Sequence, residues 1–221
     1  MTHQRIIHEI LTQKAHSKDK TIFMLGGAPA NGKSTFLKSK LVIYPDMALK
    51  IDPDEIKILL PEYQLMLSMN EPIAAELVHE ESSHIAKQIR KIAIEEGYDL
   101  ILDGVANDTF EKRNEDVKEL KSNGHFLRID YVTLDTSLSL QLSEKRFQYT
   151  GRKVPDEYVK DRNRRIALLI PQLVENNIFD ELYLWDTNQE NKPRLILSQK
   201  SGKLKIVNQL LYENFKNKAN D

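Results

Sequence analysis

Residues 21–35 read TIFMLGGAPANGKST, an apolar run that gives way to three glycines, a proline and a lysine before two hydroxyl residues. Such a loop builds no core, because glycine costs backbone entropy and brings no side chain to bury. From Gly27 to Ser34 the chain fits G-x-x-x-x-G-K-[ST] without a gap. The motif follows an apolar strand and precedes a helix, which is where a phosphate-binding loop has to sit. Gly27, Ala28, Pro29, Ala30, Asn31, Gly32, Lys33, Ser34 and Thr35 are the expected nucleotide-binding residues. Loop amides facing phosphate oxygens and the positive end of the next helix do the holding. Lys33 is expected to reach the β- and γ-phosphates, and the Ser34 hydroxyl to ligate Mg²⁺. Pro29 and Asn31, at the loop tip, read as variable positions.

Outward from this loop, strands alternate with helices. Residues 1–18 hold an amphipathic helix with Ile6, Ile7, Ile10 and Leu11 on one side. Strands are expected at 21–25, 47–51, around YDLILDG ending at Gly104, at 125–134, 181–185 and 194–197. Helices are expected at 34–41, after Asp52, and at 72–97, 108–122, 136–147, 155–175 and 205–216. This order, with the phosphate loop, implies βαβ units and a single α/β domain over 1–221, of P-loop NTPase type, with a mostly parallel central sheet and helices on both faces. Its core covers about 20–185, and a C-terminal strand and helix occupy about 190–217.

Composition narrows the function classes. A net charge of -1 gives no global reason for binding nucleic acid or an anionic membrane. The absence of cysteine excludes disulfides and cysteine-ligated zinc. No apolar run approaches the roughly 18 residues of a membrane helix, and the N-terminus lacks the apolar centre of a signal peptide. A cytoplasmic, soluble protein is expected.

A nucleotide loop does not by itself name a reaction. A GTPase needs N-K-x-D after a strand, and the terminal NKAND has the wrong spacing and no strand before it. A motor ATPase usually ends a strand in adjacent acids, whereas YDLILDG supplies Asp103 alone. A small-molecule kinase needs a base for the acceptor hydroxyl and arginines for the transferring phosphate. Asp54, in Asp52-Pro53-Asp54-Glu55, is the candidate base. Asp52 suits substrate binding or the N-cap of a helix equally well. Asp103 is placed to hold Mg²⁺ or substrate, although Asp-Gly is also a common turn pair. Arg146 and Arg152 flank a glycine-containing hinge and present forked, permanently charged donors. Glu81 and Ser82 interrupt the apolar stripe of Val78, Ile85, Ile89 and Ile92, so Glu81 must be partnered or border a cleft, and it is a candidate substrate contact. RNRR at 162–165 reads as a charged helix face, and Trp185 as packing.

The succession GGAPANGKST, IDPDEIKILLPEY, HEESSHIAKQI, GYDLILDG and R…GRKVP, spanning roughly 20–185, resembles the zeta-toxin family of P-loop kinases. The resemblance implies a Rossmann-like kinase fold with a helical substrate-side region. It implies transfer of phosphate from ATP, with Mg²⁺, to the 3′-hydroxyl of UDP-N-acetylglucosamine, and an inhibitory antitoxin protein as partner. Lys33 and Ser34 match the family's nucleotide and metal residues, Asp54 its base, and Arg146 and Arg152 its phosphate-gripping arginines. Where those toxins carry E-G-T, this chain has Asp103-Gly104-Val105, and Lys57 stands where arginine is frequent. An antibiotic or nucleoside kinase of the same architecture, and a nucleotide-dependent binding module without transfer chemistry, are the competing readings.

Overall fold

The computed structural model describes residues 2–14, 19–39, 44–71, 73–103, 109–150, 154–189 and 192–220. Thr21–Gly26 forms strand β1, in which Ile22, Met24 and Leu25 are buried and Phe23 is half-buried. It lies between β3 (Leu100–Asp103) and β4 (Phe126–Thr133), parallel to each. β2 (Leu49–Lys50) continues the parallel set beyond β3, and β5 (Glu181–Asp186) beyond β4. β6 (Arg194–Lys200) and β7 (Lys203–Ile206) close the order β2-β3-β1-β4-β5-β6-β7 as an antiparallel hairpin. Because the chain crosses from β3 to the far side of β1, a crevice opens beyond the carboxyl end of β1, where ligands bind in open α/β sheets.

The helices divide unequally between the two faces. Ile22, Met24, Leu100, Ile129 and Tyr131 face one way and are buried with residues of α1 (Thr2–Thr12), α6 (His79–Glu96), α7 (Phe110–Ser122), α9 (Asp156–Glu175) and α10 (Gln209–Asn217). Alternate residues Leu25 and Val132 face the other way and meet Phe36 of α2 (Lys33–Lys38), with Tyr44 and Trp185 beside them. The expected cover on both faces is present, but the α2 side is a small cluster. Trp185 packs there as expected, and its indole N–H donates to the buried carboxylate of Asp130 at 2.9 Å.

Three expectations need correction. The helix expected to run unbroken over 72–97 is broken at Val78, whose φ of -101° and ψ of 9° leave the helical well between α5 (Ala74–Leu77) and α6. The break buries Val78 while Leu77 stays exposed. Helix α4 (Pro61–Ser68) was not anticipated, since none of its residues is buried and it carries no apolar stripe. The closing helix starts at Gln209, not Lys205, because 203–206 form β7. All four residues of β7 are exposed, so it shows no apolar alternation. The turn before it did carry a signal: Ser201 and Gly202 both take positive φ, 46° and 79°, as a tight hairpin requires.

Candidate functional site

The phosphate loop is shaped by what surrounds it. A Cβ on Gly26 would stand 2.4 Å from the ring of Tyr131, and one on Gly27 2.7 Å from Val132 Cγ2. Gly27 also has a φ of 151°, so both space and backbone demand glycine there. Gly32, at φ 77°, is the left-handed N-cap of α2 and turns the chain so that the helix starts at Lys33. The loop therefore ends at a helix that begins on the crevice, as the motif requires.

Asn31 is the main residue that sequence reasoning misjudged. It is 1 % exposed, and its side chain is a structural tie. Oδ1 accepts from the Ser139 hydroxyl at 2.6 Å on α8 (Thr136–Thr150), while Nδ2 donates to Asn163 Oδ1 at 2.9 Å on α9. Its backbone carbonyl accepts from Thr187 Oγ1 at 2.9 Å, beyond β5. A buried amide with both ends satisfied is not a variable tip. An asparagine inside a glycine-rich loop was the available signal, because it is the one polar side chain between Gly27 and Gly32.

Lys33 lies with Nζ 2.9 Å from the Gly27 carbonyl and 3.4 Å from that of Ala28. Burial holds its pKa below the usual lysine range, the charge of Asp103 acts in the opposite direction, and Arg146 adds to the depression. The fold thus brings Asp103 and Arg146 each within electrostatic reach of Lys33. A cavity of about 250 Å³ is lined by Ala30, Asn31, Gly32, Lys33, Ser34, Leu142 and Arg146. Arg146 is exposed on α8, two helical turns beyond Ser139. Asn31 therefore ties the loop to the helix that carries the arginine. Beside this cavity a second one, of about 410 Å³, runs between Gly32 and Thr35, the α8 residues Leu138, Gln141 and Leu142, and Thr187 and Asn188.

The DPDE segment opens a helix, one of the roles anticipated for it. Asp52 is the N-cap of α3 (Pro53–Lys57): its Oδ1 accepts from the Asp54 amide at 3.0 Å, and its Oδ2 lies 3.2 Å from Lys50 Nζ. Asp54, in the first turn, keeps a side chain 77 % exposed, and its Oδ1 accepts from Lys57 Nζ at 2.7 Å. Lys57 is itself buried, a feature that sequence inspection passed over. Since β2, β3 and β1 are parallel, Asp54, Asp103 and the loop all follow carboxyl ends on one edge of the sheet.

Glu81 has the partner that its place on an apolar stripe called for. Its Oε1 lies 2.5 Å from Nε2 of His3 on α1. Ser82, fully buried, donates to the His79 carbonyl at 3.0 Å. RNRR is a charged face only in its arginines: Arg164 and Arg165 pair with Asp161 and Arg162 lies over the Tyr158 ring, whereas Asn163 is buried and turned inward to Asn31. Arg152, Gly104 and Val105 lie outside the described residues.

Fold and loop together define an α/β protein built around a phosphate-loop motif. The model of the zeta toxin family matches residues 7–199, and the chain belongs to that family. A search of the curated proteins finds no match. Among solved structures, the chain is similar to the AvrRxo1-ORF1:AvrRxo1-ORF2 complex with sulphate ions, at TM-score 0.68 and 16 % identity over 97 % of this chain and 71 % of that one. The same complex with ATP gives TM-score 0.67 and 16 % identity over 97 % and 68 %. The PezAT toxin-antitoxin system of Streptococcus pneumoniae gives TM-score 0.66 and 16 % identity over 99 % and 93 %. At such identity these likenesses speak for the fold, which agrees with the α/β expectation.

Proposed function

We propose that this chain is a zeta-type toxin kinase that moves the γ-phosphate of ATP to a hydroxyl group of a small molecule. UDP-N-acetylglucosamine is the first acceptor to test, and an antitoxin protein is its expected inhibitor. The observation that carries the reading is the loop cavity of about 250 Å³, lined by residues 30–34 of the phosphate loop, Lys33 among them, and by Arg146. That donor set suits an anion and little else. The desolvated Lys33, which donates to carbonyls of its own loop, is a cation that a phosphate would complete. A solved relative of this fold is described with ATP.

In the proposed mechanism the loop amides and Lys33 hold the β- and γ-phosphates. The second cavity, walled by leucines and by Gln141 and Asn188, receives the nucleobase. Ser34 and Asp103 are oxygen donors of the kind magnesium takes, and the ion would offset phosphate charge there. Asp54 orients the acceptor hydroxyl and takes its proton as the oxygen attacks. Lys57, one turn on, fixes the orientation of that carboxylate. Arg146, with Arg152, neutralises charge on the transferring group. Asp52 and Glu81 complete the acceptor side, the first through the start of α3 and the second beside His3.

Growth on expression tests the toxin part of the proposal. The wild type should arrest growth and accumulate a phosphorylated metabolite, and Lys33→Ala should do neither. Toxicity that survives loss of Lys33 would count against it. A phosphorylated nucleoside or antibiotic in place of a sugar nucleotide would redirect the acceptor while leaving the chemistry intact.

A further inference from the structure

Six large apolar side chains stand exposed between residues 58 and 77: Ile58, Leu65, Leu67, Met69, Ile73 and Leu77, each 46–71 % exposed. Single exposed apolar residues are ordinary, but this density on adjoining segments marks an interaction surface. α4 buries none of its residues, and it packs against α5. Leu65 and Met69 stand one turn apart at the end of α4, and Ile73 and Leu77 one turn apart across α5.

The rim of this surface has one sign of charge. From Ile58 to Ala86 the sequence holds five glutamates and no lysine or arginine. Glu62, Glu71, Glu76 and Glu80 are exposed, and Glu81 is the one engaged by His3. The nearest preceding cation, Lys57, is buried against Asp54 and does not offset the rim.

We propose that the α4–α5 surface docks a basic amphipathic helix of a partner protein, whose apolar stripe covers Leu65, Met69 and Ile73 while its lysines and arginines meet the glutamates. The charge selects this occupant. An anionic lipid surface would repel the rim, and two copies of this chain would face each other with like charge. α3 runs directly into α4 through Ile58–Leu60, so a helix seated there lies next to the Asp54 end of the site.

The test uses the full chain and two labelled model helices of equal length, with leucines at the same positions and either lysine or glutamate elsewhere. The lysine helix should bind about tenfold or more tightly than the glutamate helix, and should weaken as salt is raised. The combined change Glu62→Lys, Glu71→Lys and Glu76→Lys should reverse that preference. Leu65→Gln with Met69→Gln should remove binding while leaving the thermal midpoint in place, since both side chains are exposed. Equal binding of the two helices, or no reversal by the charge changes, would overturn the proposal. So would self-association that depends on Leu65 and Met69, or a preference for phosphatidylserine vesicles over the lysine helix. ATP binding is followed in parallel, and because none of these residues lines the loop cavity, failure of the nucleotide reading leaves this result interpretable.

Discussion

The hydroxyl of Ser139 donates to Oδ1 of Asn31 across 2.6 Å, and by that bond the phosphate loop and the helix bearing Arg146 are held as one unit. Asn31 Nδ2 extends the tie to Asn163, whose own amide donates to the Val159 carbonyl at 3.1 Å. The network lies in the interior, where an unmatched polar group costs far more than a matched pair contributes.

Truncating Asn31 to alanine therefore strands Ser139 and Asn163 together. We expect a loss of about 1–3 kcal/mol per stranded group, read by urea denaturation. Asn31→Asp keeps the acceptor for Ser139 but sets a buried carboxylate oxygen against Asn163 Oδ1, so it should cost at least as much as alanine. Equal stability of all three would remove the tie from the account.

Lys57 and Asp54 give a prediction about rate. Lys57→Met keeps the buried aliphatic stem and removes the donor that orients the carboxylate. In the proposed kinase, kcat should fall about ten- to a hundredfold with little change in ATP affinity, and Lys57→Arg should recover part of it. A purely structural role would instead lower stability with kcat per folded molecule unchanged.

Fold and site were legible in the sequence to different degrees. The loop, β1 and the parallel order could be read because buried strands and phosphate loops leave strong local patterns. α4 and β7 could not, since α4 only half-buries Tyr63 and Met66, β7 buries nothing, and periodicity appears only where burial selects it. In the site, the types and spacing of Lys33, Asp54 and Arg146 were enough to nominate them. The Asn31 network and the Lys57–Asp54 pair needed the fold, because the groups that Asn31 joins lie 108 and 132 positions away along the chain. Burial of Lys57 likewise follows from how α3 packs on α6, not from its neighbours in sequence.

The C-terminal segment supplies a third prediction. Lys218, buried at 8 % exposure, donates to Thr133 Oγ1 at 2.7 Å and to the Leu134 carbonyl at 2.6 Å. The Thr133 carbonyl also accepts from the Thr187 amide at 2.9 Å, and the Thr187 hydroxyl holds Asn31, so Lys218 braces the floor under the loop. Lys218→Met should destabilise the protein by about 1–3 kcal/mol and weaken nucleotide binding, both measurable by thermal shift with and without ATP.

The pH dependence of stability has a definite sign at two residues. His125 is buried, and burial lowers its pKa from 6.5, with the Leu120 and Tyr98 backbone acting in the opposite direction. As pH falls below 6.5, the unfolded chain takes up this proton before the folded one does, so stability is lost down to the lowered folded pKa. A variant with His125→Phe should show a flatter stability profile over that range. Lys33, also lowered by burial, penalises the charged folded state at neutral pH, and relief comes as pH rises toward 10.5. Lys33→Met should then lose nucleotide binding without losing thermal stability, a separation of function from folding that a melting curve checks.

The most direct measurement is transfer of labelled γ-phosphate from ATP to a panel of hydroxyl acceptors headed by UDP-N-acetylglucosamine, with wild type and Asp54→Asn compared side by side. Wild type should label an acceptor. Asp54→Asn should bind ATP equally well and transfer about a hundred- to ten-thousandfold more slowly. Equal transfer by the two proteins, or ATP binding with no acceptor labelled across the panel, would contradict the account.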